Sequence, residues 1–216
     1  NMQINVETGR TVEFAGTLGG TTTWSINGPG TVLLTGTVNA PITQLNPGAR
    51  VGIGVDNPFG TAASTRFAYN GHEVFAVGGP HTVGNNIELS AYRDSHTFSG
   101  SNDLTFTGTI TPWNPASYAE LIVTNTGLTT FSNTVSGTIG INGNNQEYRK
   151  SGAGTLVFGG SNTYNYRTRI LGGALRATDG VGLPVNSFLY LDGGVLESSG
   201  SFTRALANAP AGGVAP

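Results

Sequence analysis

Short β-prone runs recur along the whole chain, and Gly, Asn, Pro and Asp separate them. Val, Ile, Thr, Leu and Phe dominate these runs, and no stretch of ten or more residues shows the 3.6-residue periodicity of a helix. Short strands bounded by turn residues predict an all-β fold. The predicted strands are 3–6, 11–14, 31–34, 50–55, 86–89, 104–106, 120–123, 154–158, 168–171, 188–191 and 194–196.

Some of these runs resemble one another over a long and nearly constant separation. Segment 30–34 resembles 154–158, and segments 46–50, 56–60 and 69–74 match 171–175, 178–182 and 191–196 in the same order. Segment 12–18 also resembles 104–110. We therefore expect one continuous domain over 1–216 that belongs to a longer polypeptide or polymer. Residues 1–25 would end one long repeat, 26–150 would form a full repeat and 151–216 a partial one.

Internal repetition favours a stacked coil over a sandwich or a barrel, because each repeat of a solenoid contacts only its neighbours. The chain contains 34 glycines, and pairs such as Asn70-Gly71 and Asp179-Gly180 suit corners that need a positive φ. Only 10% of the residues are charged, so we expect few like charges to lie directly above one another in stacked turns. The sequence therefore predicts a β-solenoid. Its ends would present strand edges that bind further copies or neighbouring segments of the same protein.

Composition excludes several classes of function. The net charge is −2 and Lys150 is the one lysine, so the chain lacks the basic face of a nucleic-acid-binding protein. No window approaches 18 consecutive apolar residues, which predicts no transmembrane segment. Cysteine is absent, and this excludes disulfides and thiolate metal sites. We predict no cofactor.

Residues 151–206 carry a family resemblance. Segment 151–164, SGAGTLVFGGSNTY, is similar to the autotransporter-associated β-strand repeat, also called the passenger-associated transport repeat. Segment 172–175, GGAL, matches the second part of that pattern, and the copy at 28–55 matches it more weakly. Residues 165–167, NYR, depart from the family's usual Thr-Gly-Gly, so the turn after Tyr164 is expected to differ.

The resemblance implies a right-handed parallel β-helix that is secreted or lies on the cell surface, on the extracellular side of a Gram-negative-type bacterium. It implies no reaction, since the repeat serves as a scaffold in adhesins, surface fibres and some enzymes. The prediction is thus a non-catalytic structural or adhesive module of a bacterial surface protein or fibre.

Two alternatives stay open. The first is a carbohydrate-binding module. Segment 111–118, TPWNPASY, interrupts the repeat and reads as a loop inserted on one face, where Trp113 and Tyr118 could contact a partner or a surface glycan. The second is a β-helical polysaccharide lyase or glycosidase. A glycosidase needs two carboxylates that face one bond. Asp94, Asp103 and Glu120 are the candidates, although nothing in the sequence brings them together.

No catalytic or metal-binding residue is predicted. His72 reads as a turn residue, and segment 93–96, RDSH, reads as an exposed loop. Neighbouring residues of a strand point to opposite faces, so this segment alone cannot form a catalytic triad.

Overall fold

The computed structural model describes residues 1–137 and 146–202. Strands from successive turns pair in parallel and form three sheets. The described residues contain no helix. This confirms the predicted all-β parallel β-helix, which makes about nine turns.

The strands are numbered in chain order. Sheet A contains β1 (Met2–Asn5), β3 (Trp24–Asn27), β5 (Ile42–Leu45), β7 (Ser64–Phe67), β10 (Asn86–Ser90) and β13 (Ile110–Trp113). Sheet B contains β2 (Thr11–Phe14), β4 (Thr31–Leu34), β6 (Arg50–Ile53), β8 (His72–Ala76), β11 (Asp94–Ser99), β14 (Tyr118–Val123), β16 (Glu147–Ser151), β18 (Arg167–Ile170) and β20 (Leu189–Leu191). Sheet C contains β9 (His81–Val83), β12 (Leu104–Phe106), β15 (Leu128–Phe131), β17 (Thr155–Phe158), β19 (Ala174–Ala177) and β21 (Val195–Glu197).

Each turn adds one strand to sheet B, so we number the turns by the nine strands of that sheet. Sheet A spans turns 1 to 6, and sheet C spans turns 4 to 9. The segment that joins a sheet A strand to the following sheet B strand is here called the A–B corner. These corners lie above one another along the axis because the strands on both sides of them are in parallel register.

Apolar side chains fill the interior because alternate residues of each strand point inward. One inward column in sheet B runs through Val32, Val51, Val74, Phe98 and Val123, all of them buried. Burial of each such side chain contributes about 1.5–3 kcal/mol. A second column, in sheet C, consists of aromatic rings, and the rings of Phe106 and Phe131 meet edge-on with their centroids 5.3 Å apart. The core is therefore continuous along the axis.

The segments that resemble one another in sequence lie on different faces of the solenoid. Thr31–Leu34 is in sheet B, whereas its match Thr155–Phe158 is in sheet C. Thr11–Phe14 and Leu104–Phe106 differ in the same way. The same sequence pattern, a glycine or threonine followed by a short apolar strand, therefore occurs in more than one sheet of the solenoid. The division at 1–25, 26–150 and 151–216 stays a prediction, and residues 138–145 and 203–216 of those repeats lie outside the described residues.

Candidate functional site

The three carboxylates considered as a hydrolytic site do not meet on one face. Asp94 is buried inside the solenoid, and Glu120 lies on the outer side of sheet B, where it accepts a hydrogen bond from Ser151 Oγ at 2.6 Å. Asp103 is exposed and accepts a hydrogen bond from the backbone N–H of Leu128 at 2.7 Å. Among the described residues, no group of three or more His, Asp or Glu side chains is arranged to hold a metal ion.

His72 and His96 lie inside the solenoid, in neighbouring strands of sheet B. Their rings stack with centroids 5.4 Å apart, and both side chains are fully buried. His72 Nδ1 contacts the backbone oxygen of Asn46 at 3.1 Å, and His96 Nε2 contacts that of Ser90 at 2.9 Å. Burial lowers the pKa of His72, and burial together with the neighbouring His72 lowers the pKa of His96 to about 3. Both rings are therefore neutral at pH 7.

The two sequence interpretations of this region are wrong. His72 begins β8 as a core residue and is not a turn residue, because the turn ends at Gly71. Segment 93–96 is not an exposed loop, since Asp94 and His96 are buried in β11. Asp94 accepts hydrogen bonds from Ser90 Oγ and from the backbone N–H of Tyr92, and these bonds offset the cost of burying its polar side chain.

Trp113 ends β13 on the outer side of sheet A and is half-buried. The Arg66 guanidinium lies 4.5 Å from the centroid of its ring, and the Tyr69 ring meets it edge-on at 5.4 Å. Arg66 also forms an ion pair with Glu88 at 2.8 Å. Trp113 is thus fixed in an aromatic and cationic cluster built by turns 4 and 6.

Tyr118 begins β14 on the other side of the same corner. The Arg149 guanidinium lies 3.6 Å from the centroid of its ring, within the range of a close cation–π contact. Both side chains line an open cavity of about 360 Å³ together with Arg93, Ser117 and Glu147. The two aromatic residues that the sequence singled out therefore flank one corner but belong to two adjacent clusters.

The interpretation of segment 111–118 as an inserted loop is wrong, because residues 111–113 belong to β13, Tyr118 begins β14, and the corner between them is part of the stacked coil. The backbone N–H groups of Ala116 and Ser117 donate to the oxygen of Ala91 in turn 5, and Ser117 O accepts from Glu147 N–H in turn 7. Gln146 Nε2 adds a hydrogen bond to Pro115 O at 2.9 Å. Segment 114–117 is held by the turns above and below it, which fixes the geometry of the rings on either side.

Backbone strain concentrates at this corner. Tyr69, Arg93 and Asn114 have φ of 64°, 64° and 50°, and they occupy the A–B corner of three successive turns. A left-handed conformation disfavours side chains with a Cβ, most of all bulky ones, and strain of this kind collects at binding sites. The rings of Tyr69 and Tyr92 are also exposed there, at 49% and 59%. We define Arg66, Tyr69, Tyr92, Trp113 and the cavity around Tyr118 as the corner surface.

Sequence reasoning missed the arginines of this surface. Glu147 and Arg149 share one side of β16, and Arg167 and Arg169 share the same side of β18. The alternation of charged and other residues in segments 147–149 and 167–169 was the available signal. The cavity itself combines residues of turns 5, 6 and 7, so only the register of the stack brings them together.

The described residues include no helix long and apolar enough to cross a bilayer. Comparisons of the chain with protein-family models, curated proteins and solved structures find no match.

Proposed function

We propose that this chain is a non-catalytic structural and adhesive module of an extracellular or cell-surface bacterial protein, with the corner surface as its contact site. The observation that carries the proposal is the unbroken parallel register of sheet B through nine strands. Nine strands spaced about 4.8 Å apart give a rod about 40 Å long. Such a stack holds surface side chains at fixed spacing, as an adhesive scaffold requires.

The outermost described turns supply a means of joining rods. Strands β2 and β20 each pair on one side only among the described strands, as do β1 and β21. Met2 and Val195 are exposed in these edge strands, at 47% and 59%. Unpaired strand edges with apolar side chains favour pairing with another strand. We propose that neighbouring solenoid segments or further copies of the chain pair there.

Electron microscopy over a range of concentrations tests this part of the proposal. We expect rods whose length grows in steps of about 40 Å, the length of one stack. Val195→Lys places a charge on an edge strand and should suppress the growth. Thr105→Lys places the same charge on the outer side of β12, in the middle of the stack, and should leave it unchanged. Isolated particles at every concentration would contradict end-to-end assembly.

A second candidate function, carbohydrate binding, is favoured by two exposed rings at neighbouring A–B corners, those of Tyr69, which contacts Trp113, and of Tyr92. Tyr and Trp offer a large contact area and lose little conformational entropy on binding. A glycan array tests this function, with Tyr92→Ala as the variant because that ring is 59% exposed. Weaker binding by the variant would support a role for the rings, and an array without any bound glycan would contradict it.

A further inference from the structure

More arginine than acidic side chains surround the cavity beside Tyr118. Arg93 and Arg149 line it, and Arg167 and Arg169 follow in the next turn. Glu147 is the one acidic residue in the lining, and its side chain is only 7% exposed. Two further carboxylates lie near, since Glu120 is the register partner of Arg149 and Asp192 is 3.6 Å from Arg169. The four guanidinium groups thus outnumber the three nearby carboxylates, and the cavity lining itself contains two arginines and one glutamate.

Glu147 acts as an anchor for the arginines around it. Its Oε2 is 2.5 Å from Arg149 Nε, and Arg167 and Arg169 lie 4.0 Å and 3.9 Å from its carboxylate. Removing this buried carboxylate would leave Arg149 and Arg167 without an ion-pair partner among the described residues. The ion pair with Glu147 holds the Arg149 guanidinium over the Tyr118 ring, which reduces the entropy that the side chain would lose on binding a ligand.

Two groups in this cavity have unused hydrogen-bonding capacity. Within the part of the chain that the structure describes, Arg93 forms no ion pair, and its side chain is exposed. Arg149 donates through Nε to Glu147, and within the same part its terminal nitrogens have no acceptor. The positive φ of Arg93 is a second and independent sign that its position is under constraint.

We propose that this cavity binds a carboxylate-bearing sugar unit of an acidic polysaccharide, whose chain extends along the A–B corners. Planar guanidinium groups match the two oxygens of a carboxylate. The rings of Tyr92, Tyr69 and Trp113 continue the surface over turns 4 to 6, where amphipathic rings suit the apolar faces of sugars. A cavity that is open to solvent accommodates one unit of a longer chain.

A polysaccharide fits this surface better than a nucleic acid does. The chain carries a net charge of −2, and its arginines at the corner are interspersed with Glu88, Glu120 and Glu147. A nucleic acid presents a phosphate at every nucleotide and needs a continuous basic stripe. One cavity with an anion-binding pair and a row of rings matches a ligand whose negative charges are spaced apart.

The inference rests on the corner surface being adhesive, and its test is independent of end-to-end assembly. Affinities would be measured by calorimetry for oligogalacturonate, with alginate and hyaluronan oligosaccharides as further probes. We expect saturable binding that weakens as salt is added. Arg93→Asn removes one guanidinium but tolerates the positive φ, and it should weaken binding about tenfold. Tyr118→Ala should weaken binding several-fold, and Tyr118→Phe should retain it.

Arg176→Gln is the matched control because it removes an exposed arginine of sheet C that pairs with Glu197, away from the corner. The methyl ester of the same oligosaccharide is the matched ligand, since it lacks the negative charge. Three results would overturn the proposal: no binding of any of the three acidic probes, equal binding of the ester, or an unchanged affinity in Arg93→Asn. Tighter binding of dextran sulfate or single-stranded DNA than of every carboxylated probe would also overturn it.

Discussion

The A–B corners of turns 1 to 3 and those of turns 4 to 6 follow the same path with different residues. In the first three turns a glycine supplies the positive φ, at Gly9, Gly28 and Gly48. In turn 4 both Tyr69 and Gly71 adopt it, and in turns 5 and 6 Arg93 and Asn114 adopt it in place of a glycine. A left-handed conformation costs a residue with a Cβ about 1–2 kcal/mol. The fold can therefore be built with glycine corners, and the strained corners coincide with the exposed rings and the cavity.

The residues on the inner side of the corner also change between turn 3 and turn 4. Gly30 and Ala49 lie just before β4 and β6. In the register of sheet B, His72 and His96 occupy the same inward position in turns 4 and 5. Small residues let the backbone of neighbouring early turns approach closely, as at Gly30, whereas stacked imidazoles occupy this position in turns 4 and 5. Turns 4 to 6 thus combine strained corners and buried imidazoles with the exposed rings and the cavity, whereas turns 1 to 3 have glycine at each corner.

The largest expected loss of stability comes from replacing a glycine by alanine at one of the corners of turns 1 to 3. Gly28 has φ of 85°, and a Cβ there would lie 2.4 Å from the backbone oxygen of Val6. Gly28→Ala should lower the free energy of unfolding by about 3 kcal/mol or more, measured by urea denaturation. Arg93→Ala, in a corner that already accommodates a Cβ, should change it by only about 0.5 kcal/mol. Equal costs at both corners would contradict the comparison.

The histidine pair should make stability depend on pH. The folded-state pKa of His96 is about 3, against an ordinary value of 6.5, so below pH 6.5 the unfolded chain binds protons that the folded chain does not. Stability should therefore fall as the pH drops from 7 to 5, and His96 alone should contribute about 2 kcal/mol of that loss.

Urea denaturation at several pH values measures this slope, and His96→Phe should reduce it. Thr97→Val in the same strand should leave the slope unchanged. A stability that stays constant between pH 7 and 5 would show that the imidazoles are not buried in the neutral form.

A smaller effect is expected from Tyr69, whose ring meets Trp113 edge-on. Tyr69→Ala should cost about 1 kcal/mol through the lost aromatic contact and should shift tryptophan fluorescence to longer wavelength as the indole becomes more exposed. Tyr92→Ala is the control, because that ring is 59% exposed and has no ring contact among the described residues. An identical spectrum for both variants would mean that Tyr69 does not order Trp113.

The smallest expected change in the free energy of unfolding is a gain, from Arg93→Gly. Arg93→Gly relieves about 1–2 kcal/mol of backbone strain and loses about 0.5–1 kcal/mol through the greater freedom of glycine in the unfolded chain. We expect a net gain of about 0.5 kcal/mol in the free energy of unfolding, together with weaker binding of oligogalacturonate. A loss of stability would indicate that Arg93 serves the fold and not a ligand.

The fold could be predicted from the sequence where strands are rich in β-branched and apolar residues. Thr11–Phe14, Thr31–Leu34 and Leu104–Phe106 have the predicted bounds, and Gly71 and Gly180 adopt the positive φ expected at their corners. No strand was predicted at the positions of β11 and β16, because DSHTFS and EYRKS have little β-propensity. Hydrogen bonds to neighbouring turns and buried polar partners, which propensity does not include, stabilise them.

The site was only half predictable for a related reason. Trp113 and Tyr118 were evident because a proline-containing segment separates them. Their partners Arg66 and Arg149 come from turns 4 and 7, and only the strand register brings them there. The sequence alone does not give the number of residues in each turn, so it cannot give the register.

Nuclear magnetic resonance can show directly whether the corner surface binds an acidic polysaccharide. Backbone amide shifts of the labelled chain would be followed while oligogalacturonate is added. The proposed binding site predicts saturable changes confined to the A–B corners of turns 4 to 6 and to β16, centred on Arg93, Ser117, Tyr118 and Arg149. Changes centred on sheet C, on the first or last described turns, or spread evenly along the rod would contradict it.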